Sequence, residues 1–270
     1  MSNNPFTFIV CSPRSGSTWL RRMLGDHPDI TAGSESGLFT KDGGFGALLD
    51  DFFATKPQYS LRDYVSEKKL LQLIRYITQE VYGSVLVGSN KNWLVEKTPA
   101  HAYSIADIVR VFPDARFIHL VRDGRDVAAS IVHAGLTWKP SWPTEIGHAA
   151  AMWKRYNVAI MAGWASLRGE SLYIVRYEDL LLDTQLTLSG LFTFIGARAL
   201  PQDDMEILIK SHSFDTYRKI ALSNFDQLFL RQGKSGGWRK TFSHQDINDF
   251  KLQAGDLLLR YGYVNSLDWN

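Results

Sequence analysis

Three times along this chain, a short run of apolar, β-branched and aromatic residues ends in a polar loop and gives way to helical spacing. Phe6 to Cys11 (FTFIVC) leads through Ser12 to Thr18 into Trp19, Leu20, Met23 and Leu24, a pattern that stops at His27 and Pro28. Trp93 to Val95 leads through Glu96, Lys97, Thr98 and Pro99 into a helical stretch from Ala102 to Phe112. Ala115 to Val121 (ARFIHLV) leads through Arg122 to Asp126 into helical spacing from Val127 to His133. Apolar runs without polar alternation suit strands covered on both faces, and strand, loop and helix in repetition build a parallel sheet with helical crossovers. The expected fold is α/β, with a central parallel β-sheet flanked by helices.

The rest of the chain fits this plan. Ala149 to Leu167 reads as a long helix, Ser171 to Arg176 (SLYIVR) as a fourth strand and Gln185 to Ile195 as a helix. Asp204 to Tyr263 reads as mostly helical, with a glycine-rich break at Gly233 to Gly237. Gly33 to Tyr64 is glycine-rich and irregular, the length of a lid, binding surface or flexible segment, and helical periodicity returns from Tyr64 to Tyr82. With no repeat, linker or low-complexity tract, residues 1–270 are expected to form a single domain.

Composition removes several classes. Hydrophobic residues at 45% and charged residues at 21% argue against disordered, collagen-like and coiled-coil chains. Thirty Lys and Arg balance 28 Asp and Glu, leaving a net charge of +2, so no nucleic-acid or anionic-membrane partner is expected and any anion site must be local. Cys11 is the single cysteine, which excludes an internal disulfide framework and a Cys-rich zinc site and suits a reducing compartment. Apolar runs fall short of the roughly 18 residues of a membrane span, and Met1 to Thr7 lack a secretion-signal pattern, so a cytoplasmic protein without a membrane anchor is expected. His119, His133, His148, His212 and His244 show no H-E-x-x-H spacing, and no catalytic metal is expected. No sequence feature sets an oligomeric state.

The first loop places Ser15, Gly16, Ser17 and Thr18 between a buried strand and a helix N-terminus, where main-chain N–H groups and the helix dipole make an anion site, with Arg14 as a further donor. It matches the nucleotide triphosphatase pattern G-x-x-x-x-G-K-[ST] only in part, lacking its first glycine and its lysine. The alternative is a plain strand-to-helix turn with a Ser or Thr cap. In the third unit, Arg122 and Ser130 lie about two helical turns apart and offer a bidentate cation and a neutral donor. Asp123, Arg125 and Asp126 have an equally good reading as surface ion pairs and capping contacts.

Taken together, PRSGSTW (Pro13 to Trp19), LVRDGRDVAAS (Leu120 to Ser130), RYEDL (Arg176 to Leu180) and RQGKSGGW (Arg231 to Trp238) resemble the sulfotransferases that use 3′-phosphoadenosine 5′-phosphosulfate. The resemblance spans roughly residues 6–242 and implies a P-loop-containing nucleotide-binding fold. It implies that Arg14, Ser15, Gly16, Ser17 and Thr18 hold the 5′-phosphosulfate. Arg122 and Ser130 fall where the family binds the 3′-phosphate, and Arg231, Gln232 and Gly233 match a segment that closes over it. Tyr177 matches a tyrosine placed near the adenine, and Trp19 a residue of the same site; for both, packing into the core is the alternative.

Sulfuryl transfer needs an acceptor in line with the breaking S–O bond, a base for its proton and cations at the leaving phosphate. Lys97, in VEKTP, matches a motif of carbohydrate sulfotransferases and is the candidate cation at the leaving oxygen. Three residues compete as base. Glu35 follows HPD as does the carboxylate of glycan and tyrosyl-protein sulfotransferases, and ranks first. His101 ranks second: an imidazole ordinarily titrates near neutral pH, and it lies near the catalytic His of other members, offset by two residues from their Lys-Thr-His pattern. Glu96 ranks third, because strand alternation points it away from Lys97.

The resemblance thus implies transfer of a sulfuryl group to a hydroxyl, with an amine as the lesser alternative, of a small-molecule, glycan or carrier-tethered acceptor. Adenosine 3′,5′-bisphosphate is the other product. A P-loop kinase using ATP and Mg²⁺, and a nucleotide-binding protein without turnover, are the rivals. Acceptor recognition is expected from Gly33 to Tyr64, Trp138 to Pro143 and Lys210 to Leu230, whose aromatics (Phe39, Phe45, Phe52, Phe53, Tyr59, Trp138, Trp142, Tyr217, Phe225, Phe229) suggest an apolar or ring-bearing pocket.

Overall fold

The computed structural model describes residues 5–54, 61–213, 216 and 233–269. The four expected strands form as β1 (Phe6–Val10), β3 (Trp93–Lys97), β4 (Arg116–Val121) and β5 (Leu172–Arg176), and a two-residue strand β2 (Ile30–Thr31) joins them. They make one five-stranded sheet in the order β2-β3-β1-β4-β5, parallel throughout. β2 carries too short a pattern to be read from sequence. β1 is fully buried because it sits mid-sheet with helices on both faces, as its unbroken apolar run requires.

One face packs against α2 (Phe45–Phe53), α3 (Glu67–Ser89) and α4 (Ile105–Val111), with Phe8, Phe39, Tyr82 and Phe117 in the shared core. The other packs against α1 (Ser17–Gly25), α8 (Thr184–Ile195) and α9 (Gln202–Ser211), burying Ile9, Cys11, Leu20 and Phe192. A third cluster around Trp153 and Phe250 joins α5 (Gly124–Thr137), α6 (Ile146–Trp164) and α10 (His244–Arg260), and adjoins the first through Ile160 of α6. The short helix α7 (Tyr177–Leu182) follows β5 directly.

Two expectations about elements change. The irregular stretch contains α2, whose apolar Phe45, Leu49 and Phe52 recur at helical spacing behind a glycine-rich lead. The helix expected from Ala102 starts instead as a 3₁₀ turn, Pro99–Tyr103, before α4. Several aromatics assigned to an acceptor pocket belong to the core: Phe39 and Phe52 are buried, and Phe45 and Phe53 pack against them. Tyr59, Tyr217, Phe225 and Phe229 lie outside the described residues.

Because every strand is parallel, the loops after β1, β3, β4 and β5 leave the same edge of the sheet. The chain order reverses around β1, and that is where α/β sheets open a crevice.

Candidate active site

The loop after β1 passes twice through left-handed backbone, at Arg14 (φ 68°) and Gly16 (φ 94°). A non-glycine residue there is uncommon and costs energy that surrounding contacts must offset. Arg14 is held by its Nε, which donates to Ser130 Oγ at 2.9 Å, and by its carbonyl, which accepts from Arg122 Nη1 at 3.3 Å. Gly16 is required twice over: beyond the positive φ, a β-carbon would sit 2.5 Å from the Tyr177 ring. The loop then enters α1 at Ser17, so the helix N-terminus faces the same crevice.

A cavity of about 510 Å³ opens at this edge. It brings together Arg14, Gly16, Ser17, Thr18, Trp19, Glu35, Lys97, Arg122, Ser130, Tyr177 and Gly233, residues drawn from six separated segments of the chain. Ser15 is buried beneath the loop and does not line the cavity. Arg231 and Gln232 lie outside the described residues. Arg14, expected at the 5′-phosphosulfate, has its guanidinium turned toward Ser130, so the residues assigned to the two phosphates meet in one hydrogen bond.

Arg122 stacks over Tyr177, 4.2 Å from the ring centroid, and its Nη2 donates to the Lys234 carbonyl at 3.1 Å. Tyr177 is both core and cavity wall: it is buried, and burial pushes its hydroxyl above the usual phenol range. Trp19 meets it edge-on at 5.8 Å and donates its indole N–H to the His212 carbonyl at 2.8 Å.

At the other end of the cavity, the nearly buried Lys97 makes an ion pair with Glu35, whose side chain is half exposed. Below them Cys11 is wholly buried; burial pushes its thiol up to about 11, outweighing a hydrogen bond with Ser17 and the charge of Lys97, so it is a packing group rather than a nucleophile.

His101 is not brought to the cavity. It is fully buried, Nε2 accepts the Phe39 N–H at 3.1 Å, and Nδ1 stands 2.9 Å from Glu96 Oε2. Glu96 is buried as well. Burial opposes its charge, but hydrogen bonding from His101, Thr98 and the Ser36 N–H holds its carboxyl below the usual range.

Asp126 has a role that its spacing did not reveal. Its two oxygens accept the N–H groups of Gly236 at 2.7 Å and Trp238 at 2.9 Å, fastening the C-terminal glycine-rich segment to α5. Asp126 and Ser130 are four residues apart on one helix face, the only sequence signal available. Asp123 and Arg125 are buried rather than on the surface: Asp123 caps α5 through the Arg125 N–H at 2.9 Å, and Arg125 stacks on Trp238 at 4.3 Å. Glu178 ties the loops after β4 and β5 together, accepting the Asp123 N–H at 3.0 Å. Trp138 and Trp142 line the same cavity, with ring centroids 6.0 Å apart, and the Arg14 guanidinium lies 5.8 Å from the Trp138 ring centroid. Among the described residues, no three His, Cys, Asp or Glu side chains group in a way that would hold a metal ion, and no helix is long and apolar enough to cross a membrane.

The sequence profile described as the sulfotransferase family matches residues 5–201. Protein-tyrosine sulfotransferase 1 of Danio rerio is 26% identical over 71% of this chain and 53% of its own length. Nodulation protein NoeE of Sinorhizobium fredii is 29% identical over 96% of this chain and 66% of its own. The chain thus spans about half to two thirds of the length of these two curated relatives. In three dimensions it superposes on a mouse sulfotransferase complexed with PAP with a TM-score of 0.60, at 18% identity, covering 98% of this chain and 87% of that one. A profile match over most of the chain, on a sheet whose crevice gathers the loops that carry the resemblance, places this protein in the sulfotransferase family.

Proposed function

We propose that this chain transfers the sulfuryl group of 3′-phosphoadenosine 5′-phosphosulfate to a hydroxyl, less favourably an amine, of a small-molecule, glycan or carrier-tethered acceptor. The observation that carries this reading is the ion pair of Glu35 with Lys97, set in the same cavity as the phosphate-type donors Arg14, Arg122 and Ser130. A carboxylate and an ammonium side by side supply what the transfer needs at its two ends, a proton acceptor and a cation.

In the proposed reaction the acceptor oxygen attacks sulfur, its proton passes to Glu35, and the bond between sulfur and the bridging oxygen breaks. The electron pair stays on the departing phosphate, where Lys97 and the N–H groups at the start of α1 offset the charge. Gly16, Ser17 and Thr18 hold the 5′ end; Arg122, Ser130 and Gly233, with Arg231 and Gln232, hold the 3′-phosphate; Tyr177 and Trp19 frame the base. Arg14 lies between the two ends and serves either. No step is assigned to a metal. His101 is not a base in this scheme, because it lies off the cavity, fully buried, with Nε2 accepting the Phe39 N–H and Nδ1 facing Glu96. The acceptor meets Trp138 and Trp142, which favours a ring or sugar face. The tyrosine named for the Danio rerio relative is a ring-bearing hydroxyl of the kind such a wall would take.

A thermal melt tests the donor assignment. At about 100 times its dissociation constant, adenosine 3′,5′-bisphosphate stabilises by roughly 2.7 kcal/mol and raises the midpoint by several degrees. A shift with ATP and Mg²⁺ alone would support a kinase instead.

A further inference from the structure

The segment that follows Glu35 is fastened to the end of β3 and the turn after it by a row of hydrogen bonds. The Ser36 N–H donates to Glu96 Oε1 at 3.2 Å, the Gly37 N–H to Thr98 Oγ1 at 3.2 Å, and the Phe39 N–H to His101 Nε2 at 3.1 Å. All three acceptors are side chains, and all three are buried. They also support one another: Thr98 Oγ1 donates to Glu96 Oε1 at 2.6 Å, Ser36 Oγ donates to the same oxygen at 3.0 Å, and Tyr82 Oη lies 2.9 Å from Ser36 Oγ. Because His101 Nε2 accepts, the ring proton resides on Nδ1, facing Glu96.

We infer that Glu96, Thr98 and His101 are positioning residues that set Glu35 against Lys97, acting through these main-chain N–H groups. The geometry follows from strand alternation. Glu96 is in register with Phe8 and Lys97 with Ile9, so their side chains leave opposite faces of the sheet. The loop straddles the end of β3, with Glu35 paired to Lys97 on one side and Ser36 bonded to Glu96 on the other. A half-exposed glutamate in a Gly/Ser loop otherwise samples many positions, and a displacement of about 1 Å costs on the order of 100-fold in rate. Two of the three candidate bases thus have their chemistry turned inward, to hold the third.

The inference rests on the assignment of Glu35 as base, and the experiment separates the two. Amide hydrogen exchange is measured at positions 36, 37 and 39 in the full chain. Bisphosphate release from 3′-phosphoadenosine 5′-phosphosulfate, with water as acceptor, is followed alongside the affinity for adenosine 3′,5′-bisphosphate. His101→Ala is expected to speed exchange at Phe39 at least 10-fold and slow turnover at least 10-fold, with bisphosphate affinity within twofold of wild type. His101→Gln, whose amide oxygen can accept the Phe39 N–H, restores most of both. Thr98→Val, which keeps the side chain's shape but not its hydroxyl, is expected to expose the Gly37 amide and slow turnover with bisphosphate affinity within twofold of wild type although Thr98 also lines the cavity, and Thr98→Ser to restore both exchange and turnover. Unchanged exchange at positions 37 and 39 in these variants would overturn the inference. So would a His101→Gln enzyme with restored exchange and no restored turnover, since the imidazole would then act chemically. Failure of the underlying assignment shows separately, as a Glu35→Gln enzyme as fast as wild type; exchange still decides whether the row of bonds holds the loop.

Discussion

The two ends of the cavity are built differently. The loop after β1 builds the proposed anion site from main chain: left-handed turns at Arg14 and Gly16, then the N-terminus of α1. The loop carrying Glu35 is held by side chains some 60 positions away, Glu96, Thr98 and His101. Backbone geometry of the first kind is written locally, in glycine and hydroxyl residues between a strand and a helix. An arrangement of the second kind depends on which distant segments the topology makes neighbours, so its failure modes are those of side chains: truncation and protonation.

Glu35→Gln should have the largest effect at the side-chain-built end. Loss of a general base costs about 10²- to 10⁴-fold in rate, with bisphosphate affinity unchanged, read from turnover and calorimetry on the same preparation. Equal losses in both would dissolve the distinction between the two ends.

Gly16→Ala attacks the main-chain end. The left-handed conformation and the Tyr177 ring at 2.5 Å both oppose a β-carbon, and together they should lower stability by about 3 kcal/mol, measured by denaturant unfolding, and weaken bisphosphate binding. A variant as stable as wild type would show that the loop relaxes easily. Arg122→Ala, which removes a cation together with its hydrogen bond to the Arg14 carbonyl, should weaken the bisphosphate roughly 10- to 100-fold, in line with a charge-assisted contact of about 1.5–3 kcal/mol.

Acid should then separate the ends by a smaller, local effect. Glu96 has its carboxyl held below the unfolded value of 4.5. Its contribution is therefore complete above that pH and is lost as pH falls through the lower folded value. Amides 36, 37 and 39 should lose exchange protection in that window before the amides of residues 15–18 do. His119, which burial lowers to about 4, costs the whole domain stability as pH falls from 6.5 to about 4, which is why the comparison is made amide by amide.

The same division explains what the sequence disclosed. The strands and the loop from Ser12 to the start of α1 were legible because each is encoded within one strand, loop and helix unit. The direction of Glu96 followed from alternation alone. The burial of His101 did not, because a histidine four residues past a strand reads the same whether its ring meets solvent or the Phe39 N–H. Nor did the fastening of Gly236 and Trp238 by Asp126, 110 and 112 positions away. Phe39 and Phe52 misled in the other direction: aromatic residues in a glycine-rich stretch suit a pocket wall and a core equally, and here the helix at Phe45–Phe53 turns Phe52 inward while Phe39 packs against Phe8 and Phe45.

The most direct test of the central claim, that this crevice reads a 3′-phosphorylated adenosine nucleotide, is calorimetric titration with adenosine 3′,5′-bisphosphate against adenosine 5′-monophosphate. The account predicts that the bisphosphate binds at least 10-fold more tightly and that Arg122→Ala removes most of the difference. Equal affinity for the two nucleotides, or a difference untouched by Arg122→Ala, would contradict it.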